Sequence, residues 1–97
     1  MNLKDRLDEF LQRPALQGAF GNDDHERSSE REVLKQHFLN VARTNRKTSK
    51  IMIGLLRRAN SVEFIEEKGT IIVFRNLLDA AQGEPFLMHE YLTDQKV

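Results

Sequence analysis

The chain has 97 residues with 15 basic and 15 acidic side chains, so a single small domain is expected. It contains no cysteine, which excludes disulfide bonds and thiolate metal sites. The longest apolar runs, such as residues 71–74, are far too short to span a membrane, and the charged N-terminus lacks the apolar stretch of a signal peptide. We therefore expect a soluble cytoplasmic protein.

The net charge of zero conceals an uneven distribution of charge along the chain. Residues 41–60 contain six basic side chains and no acidic one, whereas residues 1–40 and 61–97 carry net charges of −2 and −4. A concentrated positive segment on a neutral protein is typical of contact with an anionic partner, commonly nucleic acid. The six basic residues are Arg43, Arg46, Lys47, Lys50, Arg57 and Arg58.

The first part of the chain predicts one helix followed by a linker. Leu3, Leu7, Phe10 and Leu11 recur at helical spacing, and Pro14 should end the helix because its ring blocks continuation. Residues 1–17, which contain this helix and end shortly after Pro14, are therefore assigned to an N-terminal helix segment. Residues 18–29 mix glycine, aspartate, asparagine and serine, which predicts a flexible linker before a domain at residues 30–97.

A second helix is predicted from the capping-box pattern of Ser29 and Glu32 to about Thr44. Its apolar positions should face inward and its polar positions outward. The predicted inward residues are Val33, Leu34, His37, Phe38, Val41 and Ala42, and the predicted outward residues are Lys35, Gln36, Asn40 and Arg43.

A third helix is predicted from Lys50 to about Asn60, after a polar turn at residues 44–49 and a cap at Thr48 or Ser49. The apolar residues Ile51, Met52, Leu55, Leu56 and Ala59 share an arc of about 140°. The opposite arc carries Lys50, Gly54, Arg57 and Arg58, with Ile53 at the margin. Such a cationic face is long enough to lie along an anionic groove.

The remaining sequence predicts β-structure. Residues 62–66 and 70–75 are rich in β-branched and aromatic side chains, and Gly69 lies between them, which indicates a hairpin. A short helix at residues 77–82 closed by Gly83, and a helix or strand after Pro85, complete the prediction. The expected fold class is α+β: a mainly helical small domain with a β-hairpin.

Helix, basic turn, basic-faced helix and hairpin is the order of elements in a winged helix-turn-helix. Residues 48–76, TSKIMIGLLRRANSVEFIEEKGTIIVFRN, resemble the C-terminal DNA-binding part of catabolite-activator-type regulators. The matching positions are Thr48, Leu55, Leu56, Phe64, Ile65, Gly69, Ile71, Ile72 and Val73. The resemblance implies that Thr48, Ser49, Lys50, Ile53 and Arg57 face the DNA groove and that Lys68 is the wing tip. The Arg-Glu pair with which that family reads guanine is missing, and no effector-binding β-roll precedes the segment.

Two functions of different classes follow. The first is a DNA-binding regulator in which Lys50, Arg57 and Arg58 contact the nucleic acid and Arg43, Arg46 and Lys47 hold phosphates. The second is an adaptor or inhibitor that binds another protein, of the chaperone, antitoxin or phage-encoded kind. Pairing of Arg57 and Arg58 with Glu63, Glu66 or Glu67 would favour the second, because it cancels the positive field. Dimerisation is a frequent remedy for a small core.

Catalytic, metal and cofactor sites are not predicted. The sequence has no G-x-S-x-G motif, no cysteine nucleophile and no glycine-rich phosphate loop. His25, His37 and His89 are far apart, and the carboxylates beside His25 are adjacent residues of a predicted loop rather than converging ligands. We therefore expect a protein that is not an enzyme.

Overall fold

The computed structural model describes residues 2–82, which form four α-helices and two short 3-10 segments. The helices are α1 (Leu3–Leu11), α2 (Asp24–Thr44), α3 (Arg46–Ala59) and α4 (Glu67–Ala81). The 3-10 segments are Pro14–Ala19, between α1 and α2, and Val62–Phe64, between α3 and α4. Within residues 2–82 there is no β-strand, so the predicted α+β class and the winged-helix arrangement are wrong.

Capping residues set the starts of the first two α-helices. The Asn2 side chain accepts a hydrogen bond from the Asp5 amide at 2.9 Å, and α1 ends before Pro14, which begins the first 3-10 segment. The start of α2 was predicted too late. Asp23 caps it by accepting from the Glu26 amide at 2.8 Å, so the predicted linker is helical from Asp24 onward.

α3 occupies the centre of the fold, where it contacts α1, α2 and α4. Its inward face was predicted correctly, since Met52, Leu55, Leu56 and Ala59 are all buried. These side chains join Leu7, Leu11, Phe38 and Leu77 in one hydrophobic core that draws on all four helices. The N-terminal helix is therefore part of the same core as the rest of the described chain.

The predicted hairpin is a 3-10 segment followed by a helix. The buried positions of α4 are Gly69, Thr70, Val73, Asn76, Leu77 and Ala80, which recur at helical rather than alternating spacing. A run of β-branched residues favours a strand locally, but packing against the core overrides that preference. Leu77 and its neighbours, predicted as a separate short helix, are the last part of α4.

Gly69 lies at a close contact between α4 and the second 3-10 segment, not in a hairpin turn. A Cβ atom at this position would lie 2.3 Å from the Cα atom of Phe64, which is closer than atoms can approach. Only glycine therefore allows the first turn of α4 to lie against the backbone of the second 3-10 segment.

The inward face of α2 was predicted correctly at Phe38, which is buried, and at Leu34, Val41 and Ala42, which pack against the core. Three other positions differ from the prediction. Val33 is 63% exposed and His37 is exposed, although both were expected inward, whereas Lys35 is only 8% exposed. Lys35 is covered because its ammonium group reaches Asp8 of α1 and Glu32 of the preceding turn of α2, as detailed below. The predicted closure by Gly83 and the helix or strand after Pro85 lie outside the described residues. No helix found between residues 2 and 82 is long and apolar enough to cross a membrane.

Candidate nucleic-acid interface

A single residue, Asn45, joins α2 to α3. Its amide donates to the Val41 carbonyl at 3.0 Å and so ends α2, and its side chain accepts from the Thr48 amide at 3.1 Å and so begins α3. The predicted turn at residues 44–49 is thus only one residue long. The short connection places Arg43, in the last turn of α2, near Arg46 in the first turn of α3 along the chain.

Three basic residues lie along the outward face of α3. At 100° per residue, Arg46, Lys50 and Arg57 fall within an arc of about 40°. They span about 16 Å of helix at 1.5 Å per residue. All three are exposed, Lys47 is exposed on the flank, and Ile53 lies half-buried beside the same arc. We call Arg43, Arg46, Lys47, Lys50 and Arg57 the basic face.

The basic face makes no ion pair with any carboxylate of residues 2–82 within 4.0 Å. The sequence left open whether Arg57 and Arg58 pair with downstream glutamates. Among the described residues, only Arg58 does so. Its Nη2 atom donates to the Glu63 carboxylate at 3.0 Å, and its guanidinium lies 5.1 Å from the centre of the Phe64 ring. Glu66 and Glu67 form no ion pair in the described part of the chain.

The other predicted contact residues differ in accessibility. Thr48 is 7% exposed and packs inside, which leaves it little surface for a ligand, and Ser49 is half-buried. Both lie within α3, not in a turn before it. Lys68 is exposed in the first turn of α4, where the prediction had placed the tip of a wing.

The segment without acidic residues is longer than residues 41–60 and includes Lys35. Residues 33–62 contain seven basic side chains and no acidic one. The Lys35 ammonium donates to Asp8 at 2.8 Å and lies 2.7 Å from Glu32, and these contacts raise the pKa of Lys35, with Asp8 the larger cause. The hydrogen bond from Lys35 is also the main reason that the pKa of Glu32 is lowered. Lys35 is therefore engaged within the fold.

The first turn of α3 differs from those of the other three helices. Acidic residues occupy the first turns of α1, α2 and α4, where they complement the positive end of the helix dipole. α3 has none and begins with Arg46 and Lys47. A cation at this end is unfavourable by about 0.3–1 kcal/mol, so helix stability does not account for these residues. Their charge adds to that of the helix end and makes the local potential more positive.

Other features of the described residues do not form a second candidate centre. Between residues 2 and 82, no group of three or more His, Asp or Glu side chains converges in a way that would hold a metal ion. No known protein family, curated protein or solved structure matches this chain. The assignment of the basic face as a candidate interface is therefore based only on the geometry of this chain.

Sequence reasoning missed the role of Asn45. Asparagine is among the preferred residues at the start of a helix, and its position three residues before Thr48 was the available signal. The serine and threonine that follow have the same preference, which is why the start of α3 was predicted too late.

Proposed function

We propose that the protein is a small DNA-binding regulatory protein that contacts DNA through the basic face. The observation that carries this proposal is the set of five exposed basic side chains without a carboxylate partner in the described residues. Since an unpaired surface cation attracts phosphate and releases condensed counterions when it binds, this arrangement suits a polyanion.

The proposed contacts follow from the position of each residue. Lys50 and Arg57, on the outward side of α3, reach phosphates at the edges of the major groove, whose width of about 12 Å admits an α-helix. Ile53, between them in sequence, is suited to apolar contact with a thymine methyl group. Arg43, Arg46 and Lys47 hold phosphates at the junction of α2 and α3, where the positive end of the α3 dipole reinforces them.

The test is fluorescence anisotropy of a labelled mixed-sequence DNA duplex titrated with the full chain at about 50 mM salt. The variant Lys50→Gln/Arg57→Gln should bind at least about tenfold more weakly than wild type. The matched control is Lys4→Gln/Arg75→Gln, which removes the same charge from exposed positions outside the basic face. Equal losses in both variants, or no binding by wild type, would contradict the proposal.

Binding of another protein is the second candidate. The observation that favours it is the outward side of α2, where Val33 is 63% exposed in the middle of a long helix. This side chain lies beside a groove lined by Gln36 and Asn40, which offers a partner both apolar and polar contacts. A pull-down with wild type and Val33→Glu as baits would test it, with a partner captured by wild type only as the expected result.

A further inference from the structure

α2 is the longest helix of the described chain and the least covered. Only two of its 21 residues, Lys35 and Phe38, are buried. On the opposite side, His25, Ser29, Val33, Gln36 and Asn40 line a shallow open groove along the helix. A polar helix that is exposed over much of its circumference needs either many local ion pairs or a neighbour to stabilise it.

Charge is segregated between the two halves of this region. Residues 23–32 carry five acidic and two basic side chains, whereas residues 33–47 carry four basic side chains and no acidic one. Both basic residues of the acidic half are engaged locally, since Arg27 pairs with Asp24 and Arg31 donates to Gln17 at 2.9 Å. Of the four basic residues at 33–47, Lys35 is buried and paired, Arg43 is exposed in the last turn of α2, and Arg46 and Lys47 are exposed in the first turn of α3. The exposed surface is thus negative along the N-terminal half of α2 and positive at the junction of α2 and α3.

This gradient makes α2 complementary to itself in one orientation. A second α2 placed antiparallel sets the acidic half of each copy beside the basic α2–α3 junction of its neighbour, whereas a parallel one sets like charges together. A twofold axis generates this antiparallel relation. Val33 lies next to the midpoint of Asp24–Thr44, so the two copies of its exposed side chain would meet near the axis.

We propose that the outward side of α2 is a self-association surface, on which a second copy of this chain packs antiparallel about Val33. Because α2 is about 31 Å long at 1.5 Å per residue, the pair offers an extended seam with one apolar centre and two oppositely charged ends. Lys50 and Arg57 lie on the outward face of α3, outside this seam, whereas Arg43, Arg46 and Lys47 belong both to the basic end of the seam and to the basic face.

Sedimentation equilibrium of the full chain without nucleic acid tests this proposal. Wild type should form dimers, and Val33→Glu should raise the dimer dissociation constant at least about tenfold, because it places two carboxylates together at the axis. The matched control is Val62→Glu, at an apolar position that is 91% exposed outside α2. It should change the constant by less than about twofold.

A second pair of variants tests the charge gradient. Glu26→Lys should weaken the dimer because, about Val33, position 26 lies opposite Asn40 of the partner, within one turn of Arg43, whereas Glu66→Lys, an equal change outside α2, should not. Circular dichroism of each variant confirms that the helices are intact. A wild-type monomer up to about 1 mM, or a dimer that Val33→Glu leaves unchanged, would overturn the proposal. Because Arg43, Arg46 and Lys47 belong to both surfaces, DNA binding by each variant is measured separately by anisotropy, and a monomeric wild type that still binds DNA would overturn self-association alone.

Discussion

The seven basic residues of the acid-free segment 33–62 fall into two groups. Lys35 and Arg58 each lie within 3.0 Å of a carboxylate, and both are at least partly covered by the fold. The five residues of the basic face are exposed and form no ion pair in the described part of the chain. The difference teaches that charge density along a sequence does not separate cations that stabilise a fold from cations that are free to bind.

The largest expected effect on stability comes from a change in the packing beneath Arg58, one of the two paired cations. Gly69→Ala pushes a Cβ atom into the backbone of Phe64, whose ring lies under the Arg58 guanidinium. We expect a loss of about 3 kcal/mol in the free energy of unfolding, measured by urea denaturation. Gly18→Ala is the control, because a Cβ there meets nothing within 4 Å. Equal effects of the two changes would contradict the helical packing of α4.

Lys35→Ala removes a paired cation and should lower the free energy of unfolding by about 1–2 kcal/mol. The change leaves Asp8 and Glu32 without their ammonium partner and uncovers the core beside α1. Lys47→Ala removes an exposed cation of the basic face and should shift stability by no more than about 0.5 kcal/mol. A Lys47→Ala loss as large as that of Lys35→Ala would break the division into two groups.

The Lys35 cluster also predicts how stability depends on pH. The folded pKa of Lys35 is raised above 10.5, so its contribution is complete below that pH and is lost as pH rises through the folded pKa. The folded pKa of Glu32 is lowered below 4.5, so its contribution is complete above that pH and is lost as pH falls through the folded pKa. The stability difference between wild type and Lys35→Met should therefore be greatest between these limits. Urea titrations across pH measure it, and a difference independent of pH would oppose this account.

Arg57 and Arg58 are adjacent in sequence and belong to different groups. Arg58→Ala should cost about 1 kcal/mol of stability, since it loses Glu63 and the Phe64 ring, with no change in the salt dependence of DNA binding. Arg57→Ala should leave stability within about 0.5 kcal/mol and reduce the salt slope of DNA binding by about one. Urea denaturation measures the stability of both variants, and anisotropy measures their salt slopes. If the two variants changed stability and salt slope equally, the assignment of Arg57 and Arg58 to different groups would be wrong.

The smallest expected effect on stability is a gain. Arg46→Glu replaces a cation by an anion in the first turn of α3 and should raise the free energy of unfolding by about 0.5 kcal/mol while weakening DNA binding. Lys4→Glu makes the same change in the first turn of α1 and should leave DNA binding unaltered. Thermal unfolding and anisotropy measure both quantities. If Arg46→Glu destabilised the protein, Arg46 would have a structural role.

Sequence patterns predicted α1 and the inward face of α3 because apolar residues there recur at helical spacing without competing signals. The face of α2 was predictable only in part. The inward position of Lys35 was missed because its long aliphatic stem lets a charged residue be covered when the carboxylates of Asp8 and Glu32 meet its ammonium group. The run from Thr70 to Phe74 suits a strand or a helix, and only its contacts with the core decide between them. That Arg58, unlike Arg57, is paired in the described part of the chain depends on the position of Glu63, which local sequence does not determine.

The most direct test of the central claim is the dependence of DNA-binding affinity on salt. We expect the logarithm of the association constant to fall with the logarithm of salt concentration with a slope of about −4.5, at about −0.9 for each phosphate contacted by the five basic residues. The variant Arg46→Gln/Lys50→Gln/Arg57→Gln should reduce the magnitude of the slope by about three. An absence of binding at low salt, or a slope that the triple variant leaves unchanged, would contradict the assignment of the basic face.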